Sequence, residues 1–96
     1  YTLGGSKLEK SSIANLDVYP NPSRHVFNVT FTSEEEQTMT VMVVSVIGEE
    51  IFTENLTEFV GQYTKVIDMS NQPKGVYFLE IKMSTRVGIN KKIVLQ

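Results

Sequence analysis

The chain has 96 residues, 41% of them apolar and 21% charged, with a net charge of −2 and no cysteine. A chain of this length forms one domain and buries very roughly 65% of its unfolded surface, enough for a modest core without staples. The mild acidity argues against a general nucleic-acid binder, which needs a basic stripe, and the lack of cysteine excludes a disulfide framework, a thiolate zinc site and a cysteine nucleophile.

Residues 1–15 hold Gly4, Gly5 and Ser6, then Ser11 and Ser12, with few large apolar groups. They read as a linker or loosely attached arm, and residues 16–96 as the folded domain. The sequence opens on Tyr1 without a signal peptide, so a fragment or mature C-terminal piece of a longer protein is expected. No apolar run approaches the ~18 residues of a membrane-spanning helix.

Seven strands are expected from here on. The first, 16–19, is stopped by Pro20, Asn21 and Pro22, since the two prolines fix φ and remove two donors. The second, 26–32, alternates, with Phe27, Val29 and Phe31 sharing one face. The acidic triplet Glu34, Glu35 and Glu36 reads as a solvated loop between strands. Residues 38–47 form the longest run, apolar on both faces through Val41, Val43, Val44, Val46 and Ile47, the mark of a central strand. Gly48 and Glu49 signal a turn before a strand over 50–55, and Gly61 leads into another over 63–69.

Residues 70–75 form a turn or a short helical turn. Gly75 supplies a backbone position that a β-carbon would hinder, and Tyr77, Leu79, Ile81 and Met83 alternate as core in the strand over 76–83. A tyrosine two residues after a turn glycine, opening the penultimate strand, also sits where an immunoglobulin-type sandwich places its tyrosine corner; plain core packing explains Tyr77 equally well. The last strand, about 88–95, ends in Lys91, Lys92, Ile93, Val94, Leu95 and Gln96. A strand on which the sequence stops either completes the fold or is presented to a partner. No 3.6-residue period persists, and strands recur every 8 to 14 residues with turn signals between them. The expected fold is an all-β, immunoglobulin-like antiparallel β-sandwich.

Chemistry is not indicated. His25 is the only histidine, so neither a zinc site nor a Ser-His-Asp triad can be assembled. Asp17 and Asp68 are not paired as acid and base. Neither phosphate-binding glycine motif occurs. Calcium would have to draw on the acidic triplet or Asp68, without the spaced oxygen array it needs. Asn28 and Asn55 open glycosylation sequons, which matter only in a eukaryotic secretory protein. No enzyme activity, cofactor or metal is expected.

Four pieces now fit one pattern: YPNPS at 19–23, Gly48 after a long strand, IDMSNQPKGVYFLEI at 67–81, and KKIVLQ at 91–96. In this order and spacing they resemble the C-terminal sorting domain of the type IX (Por) secretion system of certain Gram-negative bacteria, over residues 16–96. The chain departs from the family's habit at His25, at Ser45 and at Gln96, where the family favours a small residue, an aspartate and a basic end.

The resemblance implies a folded address label at the end of a larger secreted cargo. The outer-membrane export machinery reads the label, a sortase-like enzyme removes it in the preceding linker, and the cargo is anchored at the cell surface or released. The expected path runs through the periplasm. The residues assigned to recognition are Lys91, Lys92, Ile93, Val94, Leu95 and Gln96, with Pro20, Asn21, Pro22, Gly48, Gly75 and Tyr77 as structural motif residues. If the last strand is a sheet edge, a receptor can extend the sheet by strand addition, and two copies can pair as a homodimer by the same route. The alternative is a fibronectin-like or carbohydrate-binding sandwich acting as a spacer or adhesion module, which would group aromatics on one surface.

Overall fold

A computed structural model describes residues 13–83 and 86–96. They form five strands, β1 (Ile13–Tyr19), β2 (Val26–Ser45), β3 (Glu50–Asp68), β4 (Gly75–Met83) and β5 (Arg86–Leu95), with no helix among the described residues. Strands pair antiparallel in the order β1-β2-β4-β5, with β3 also on β2. Of the arm expected over residues 1–15, the first twelve lie outside the described residues; residues 13–15 open β1, where Ile13 and Ala14 pair with Ser33 and Thr32.

The all-β antiparallel architecture matches the sequence pattern, with five strands in place of seven. Two pairs of predicted strands are continuous: 26–32 and, as far as Ser45, 38–47 are both β2, and 50–55 and, as far as Asp68, 63–69 are both β3. The acidic triplet therefore lies inside β2 and not in a loop, and all three glutamates are exposed. A straight β2 of 20 residues would run ~66 Å at ~3.3 Å per residue, yet the longest dimension of the molecule is 46 Å. The β2–β3 ribbon must fold over. Contacts within β3 show that it does. The Tyr63 hydroxyl donates to Glu54 Oε1 at 2.6 Å, and Lys65 Nζ lies 4.0 Å from the same oxygen. On a straight strand these residues would be roughly 30–36 Å apart.

The fold-over has local causes. The β2–β3 register shifts between Ser33 and Gln37, again before Met39, and once more between Val43 and Val44. Such bulges bend a strand and increase its local twist. The first shift falls at the acidic stretch, whose charges keep the outside of the corner in water. Ser33 is buried at this corner; its Oγ donates to the Glu35 carbonyl at 2.7 Å and accepts from Gln37 Nε2 at 3.2 Å. On β3, Gly61 takes φ +105°, which a residue with a β-carbon rarely adopts. Phe31, Phe59 and Tyr63 fill the inside, with Phe31 stacked on Tyr63 at 4.8 Å and Phe59 edge-on to both.

Two layers result. The first holds β1, residues 26–33 and residues 61–68; the second holds residues 50–56, residues 39–44, β4 and β5. Period-2 alternation sends Phe27, Val29, Phe31, Met39, Val41 and Val43 inward from β2, where they meet Tyr63 and Ile67, the alternate residues of β4, and Ile93 and Leu95. Each such side chain, fully buried, contributes roughly 1.5–3 kcal/mol.

Burial first, then the hydrogen bond to Glu54 and its negative charge, hold the Tyr63 phenol well above its ordinary range. The folded domain thus keeps a proton that the unfolded chain releases near pH 10. Stability from this group is complete below that pH and falls as pH rises beyond it. Tyr63→Phe should cost about 1 kcal/mol at neutral pH and flatten the alkaline loss, as read from denaturant midpoints between pH 7 and pH 11.

Candidate functional site

Because β2 folds in its middle, both of its ends return to the same end of the molecule. The chain leaves the first layer at Tyr19, crosses to the second, and comes back at Val26. The peptide bonds before Pro20 and Pro22 are cis. Ser23 pairs in parallel with Leu95: its N–H donates to the Val94 carbonyl at 3.0 Å, and its carbonyl accepts from Gln96 N at 2.7 Å. Asn21 adds two bonds through its side chain. Nδ2 donates to the Lys92 carbonyl at 3.2 Å, and Oδ1 accepts from Val94 N at 3.1 Å. Flanked by prolines that have no N–H, this loop presents strand-like pairing through an amide side chain, which offers donor and acceptor together. Ser23 is buried, with its hydroxyl donating to the Val26 carbonyl and accepting from His25 N.

These four bonds fix the orientation of β5. The N–H and carbonyl of Val94, the Lys92 carbonyl and the Gln96 N–H point outward, so Ile93 and Leu95 turn their backbone groups toward β4, where they pair with Tyr77 and Gly75. Strand β5 ends the strand order, but from the Lys92 carbonyl onward its outer edge is occupied by Asn21 and Ser23. Nearer the start of β5 the register shifts, and a β-carbon at Gly88 would lie 2.7 Å from the Ile81 carbonyl oxygen. Ile93 and Leu95 are core, Lys91 and Val94 are half-buried, and Lys92 and Gln96 are exposed.

The other motif residues gather nearby. Met69 N donates to the His25 carbonyl at 2.7 Å, and Lys74 Nζ to the Arg24 carbonyl at 3.3 Å. Tyr77 is buried, and its hydroxyl donates to the Pro73 carbonyl at 2.5 Å, closing the loop ahead of its own strand. Gly75 differs from expectation in its cause. A β-carbon there meets nothing within 4 Å; the constraint is φ +148°. The β2–β3 turn closes through Gly48 N to the Ser45 carbonyl at 2.9 Å. Val46 and Ile47, expected at the end of a strand, lie in this turn, 67% and 84% exposed. With Ile51, Pro73 and Val76 they line an open groove.

Acid–base chemistry is not assembled here. His25 is exposed in the loop. Hydrogen bonds from Ser70, with a smaller contribution from His25, hold the Asp68 carboxyl below its ordinary range. Its Oδ1 accepts from Ser70 N at 2.9 Å, so it caps the turn. No cluster of three metal-ligating side chains occurs among the described residues.

The described residues form a small sandwich with one elaborated end. The chain belongs to the family of secretion system C-terminal sorting domains, whose model matches residues 17–96. It carries the sorting signal of type IX export, in a family that is generally non-catalytic. Comparison with curated proteins finds no match. All the motif residues anticipated from sequence lie at this one end. What sequence reasoning missed is the pairing of the Asn21 amide with β5, although an asparagine between two prolines carries the signal for it.

Asn21→Ala should cost about 1–2 kcal/mol, two exposed neutral bonds. Hydrogen exchange at the Val94 amide should quicken while that at Ile93 stays slow. Asn21→Asp should fall between, since it can accept from Val94 N but cannot donate to the Lys92 carbonyl.

Proposed function

We propose that this domain directs a larger cargo protein, joined ahead of residue 1, through the type IX outer-membrane system. A sortase-like enzyme then cuts within the residues preceding β1, and the cargo is anchored at the cell surface. The observation that supports this reading is the convergence of four dispersed sequence segments on one end of the sandwich. That end is built around the last strand, and no acid–base or metal cluster is assembled there among the described residues. A carbohydrate-binding role has less support: Phe27, Phe31, Tyr63 and Tyr77 are buried, and Tyr19 stands alone as an exposed aromatic among the described residues.

Lys91, Lys92, Ile93, Val94, Leu95 and Gln96 remain the proposed recognition segment. Deleting all six is a poor test, because Ile93 and Leu95 are 1% and 2% exposed and leave the core with the signal. Losing such side chains costs ~2–5 kcal/mol each, enough to unfold a small domain. The decisive experiment fuses the 96 residues to a periplasmically targeted reporter. Surface or medium delivery is expected in a bacterium with a type IX system and not in a strain lacking it. Retention of the folded fusion in both strains would refute the proposal.

A further inference from the structure

We infer that the outer edge of β5 is a strand-addition site for an extended, proline-free segment of a partner protein, and that residues 20–23 are a strap which this segment displaces. The inference rests on the sorting function proposed above and names how the recognition segment of that function is read. It begins with what the segment can show. Ile93 and Leu95 are buried, so their side chains are out of a partner's reach. What remains in regular order is main chain. The Lys92 carbonyl, the N–H and carbonyl of Val94 and the Gln96 N–H all point away from β4. Alternating donors and acceptors along one edge are what an incoming strand pairs with.

The strap imitates such a strand only in part. A neighbouring strand would meet all four groups with its own main chain. Here the Asn21 side chain meets two of them, at 3.2 and 3.1 Å, and the Ser23 main chain meets the other two, at 3.0 and 2.7 Å. Pro20 and Pro22 have no N–H to give. Putting a partner strand in place of the strap exchanges four hydrogen bonds for four, so little is lost in that balance.

Strap and strand differ in what else holds them. β5 pairs with β4 along its length and places Ile93 and Leu95 in the core. Of residues 19–25 only Ser23 is buried, and none belongs to the core cluster. The Ser23 hydroxyl bonds stay within the loop, to the Val26 carbonyl and from His25 N. The loop is tied to the rest of the domain at its two ends. The Tyr19 carbonyl accepts from Asn28 Nδ2, the Arg24 carbonyl from Lys74 Nζ, and the His25 carbonyl from Met69 N. Residues 20–23 can therefore leave β5 with both ends held and the apolar core intact, whereas β5 cannot leave without emptying that core.

The test uses the full 96-residue domain on the exported reporter. Gln96→Pro removes an N–H that the partner strand needs, and Gln96→Ala keeps it. The proline variant should deliver about tenfold less than the alanine variant, the factor that one unmade bond supplies. Asn21→Ala loosens the strap by two bonds and should raise the rate of surface delivery severalfold. Both Gln96→Pro and Asn21→Ala weaken the strap, so a merely structural role would move them in the same direction. Val66→Glu, at a position 57% exposed on the outside of the other layer, should leave delivery unchanged. Melting curves check each fold, and should Asn21→Ala unfold the domain, the two Gln96 variants decide. Gln96→Pro matching Gln96→Ala, or a folded Asn21→Ala that delivers more slowly than wild type, would overturn this inference and leave the sorting function standing. Failure of the wild type itself would sink that function, and this edge with it.

Discussion

The corner in the β2–β3 ribbon is the constraint from which the rest of the molecule follows. A single hairpin of 20- and 19-residue strands supplies the centre of both layers, so bending it creates the sandwich without a separate connection. The corner depends on residues of opposite character on its two sides. Phe31, Phe59 and Tyr63 pack inside it, while Glu34, Glu35 and Glu36 stay hydrated outside. Charge on the convex side cannot be buried cheaply, which gives the bend its direction as well as its place. At the open flank of β3, Lys65 lies over the Phe52 ring and beside Glu54. Polar groups thus close the side of the sandwich that has no further strand.

The same corner explains why sequence motifs far apart in the chain meet. Residues 19–25 precede β2 and residues 45–49 follow it; a straight strand would hold them at opposite ends. Folded over, it brings both beside the start of β4 and the end of β5. Two forces act on that last strand, and their magnitudes differ. Burial of Ile93 and Leu95 gives roughly 1.5–3 kcal/mol for each side chain. The four bonds from Asn21 and Ser23 are worth about 0.5–1.5 kcal/mol apiece, toward the low end where water competes. The core therefore holds β5 in place, and the Pro-Asn-Pro loop mainly decides what can pair with its outer edge. An edge that is filled at one end, irregular near Gly88 and flanked by lysines is poorly suited to unplanned strand pairing.

Much of this was legible in the sequence, because period-2 alternation is a local property. Phe27, Val29 and Phe31, then Tyr77, Leu79, Ile81 and Met83, announced both their strands and their buried face. Strand continuity was harder to see. Three consecutive glutamates resemble a loop, and only the tertiary bend reveals that β2 passes through them. Gly75 was recognisable as a required glycine, but the cause is its backbone angle and not a crowding neighbour. The apolar character of Val41, Val43 and Val44 was visible too, and suggested a central strand apolar on both faces. The structure bears that out: residues 39–44 lie between β3 and β4, and Val41, Val43 and Val44 are all buried. The Asn21 contacts were the least legible, since they join positions more than 70 residues apart through one amide.

Alternation also divides the labour within the last strand. Odd-numbered positions from Ile89 to Leu95 face the core side, and even-numbered positions face outward. A residue cannot serve both purposes: Ile93 and Leu95, nearly inaccessible, can be sensed by a partner only through their effect on folding, whereas Lys92 and Val94 can be touched directly. A one-residue slip would exchange the two sets, placing Lys92 and Val94 in the core and two large aliphatic side chains in water. The Asn21 amide opposes such a slip, because its donor and acceptor meet the Lys92 carbonyl and the Val94 N–H only in the present register. The loop that closes the edge therefore also determines which side chains a partner can meet.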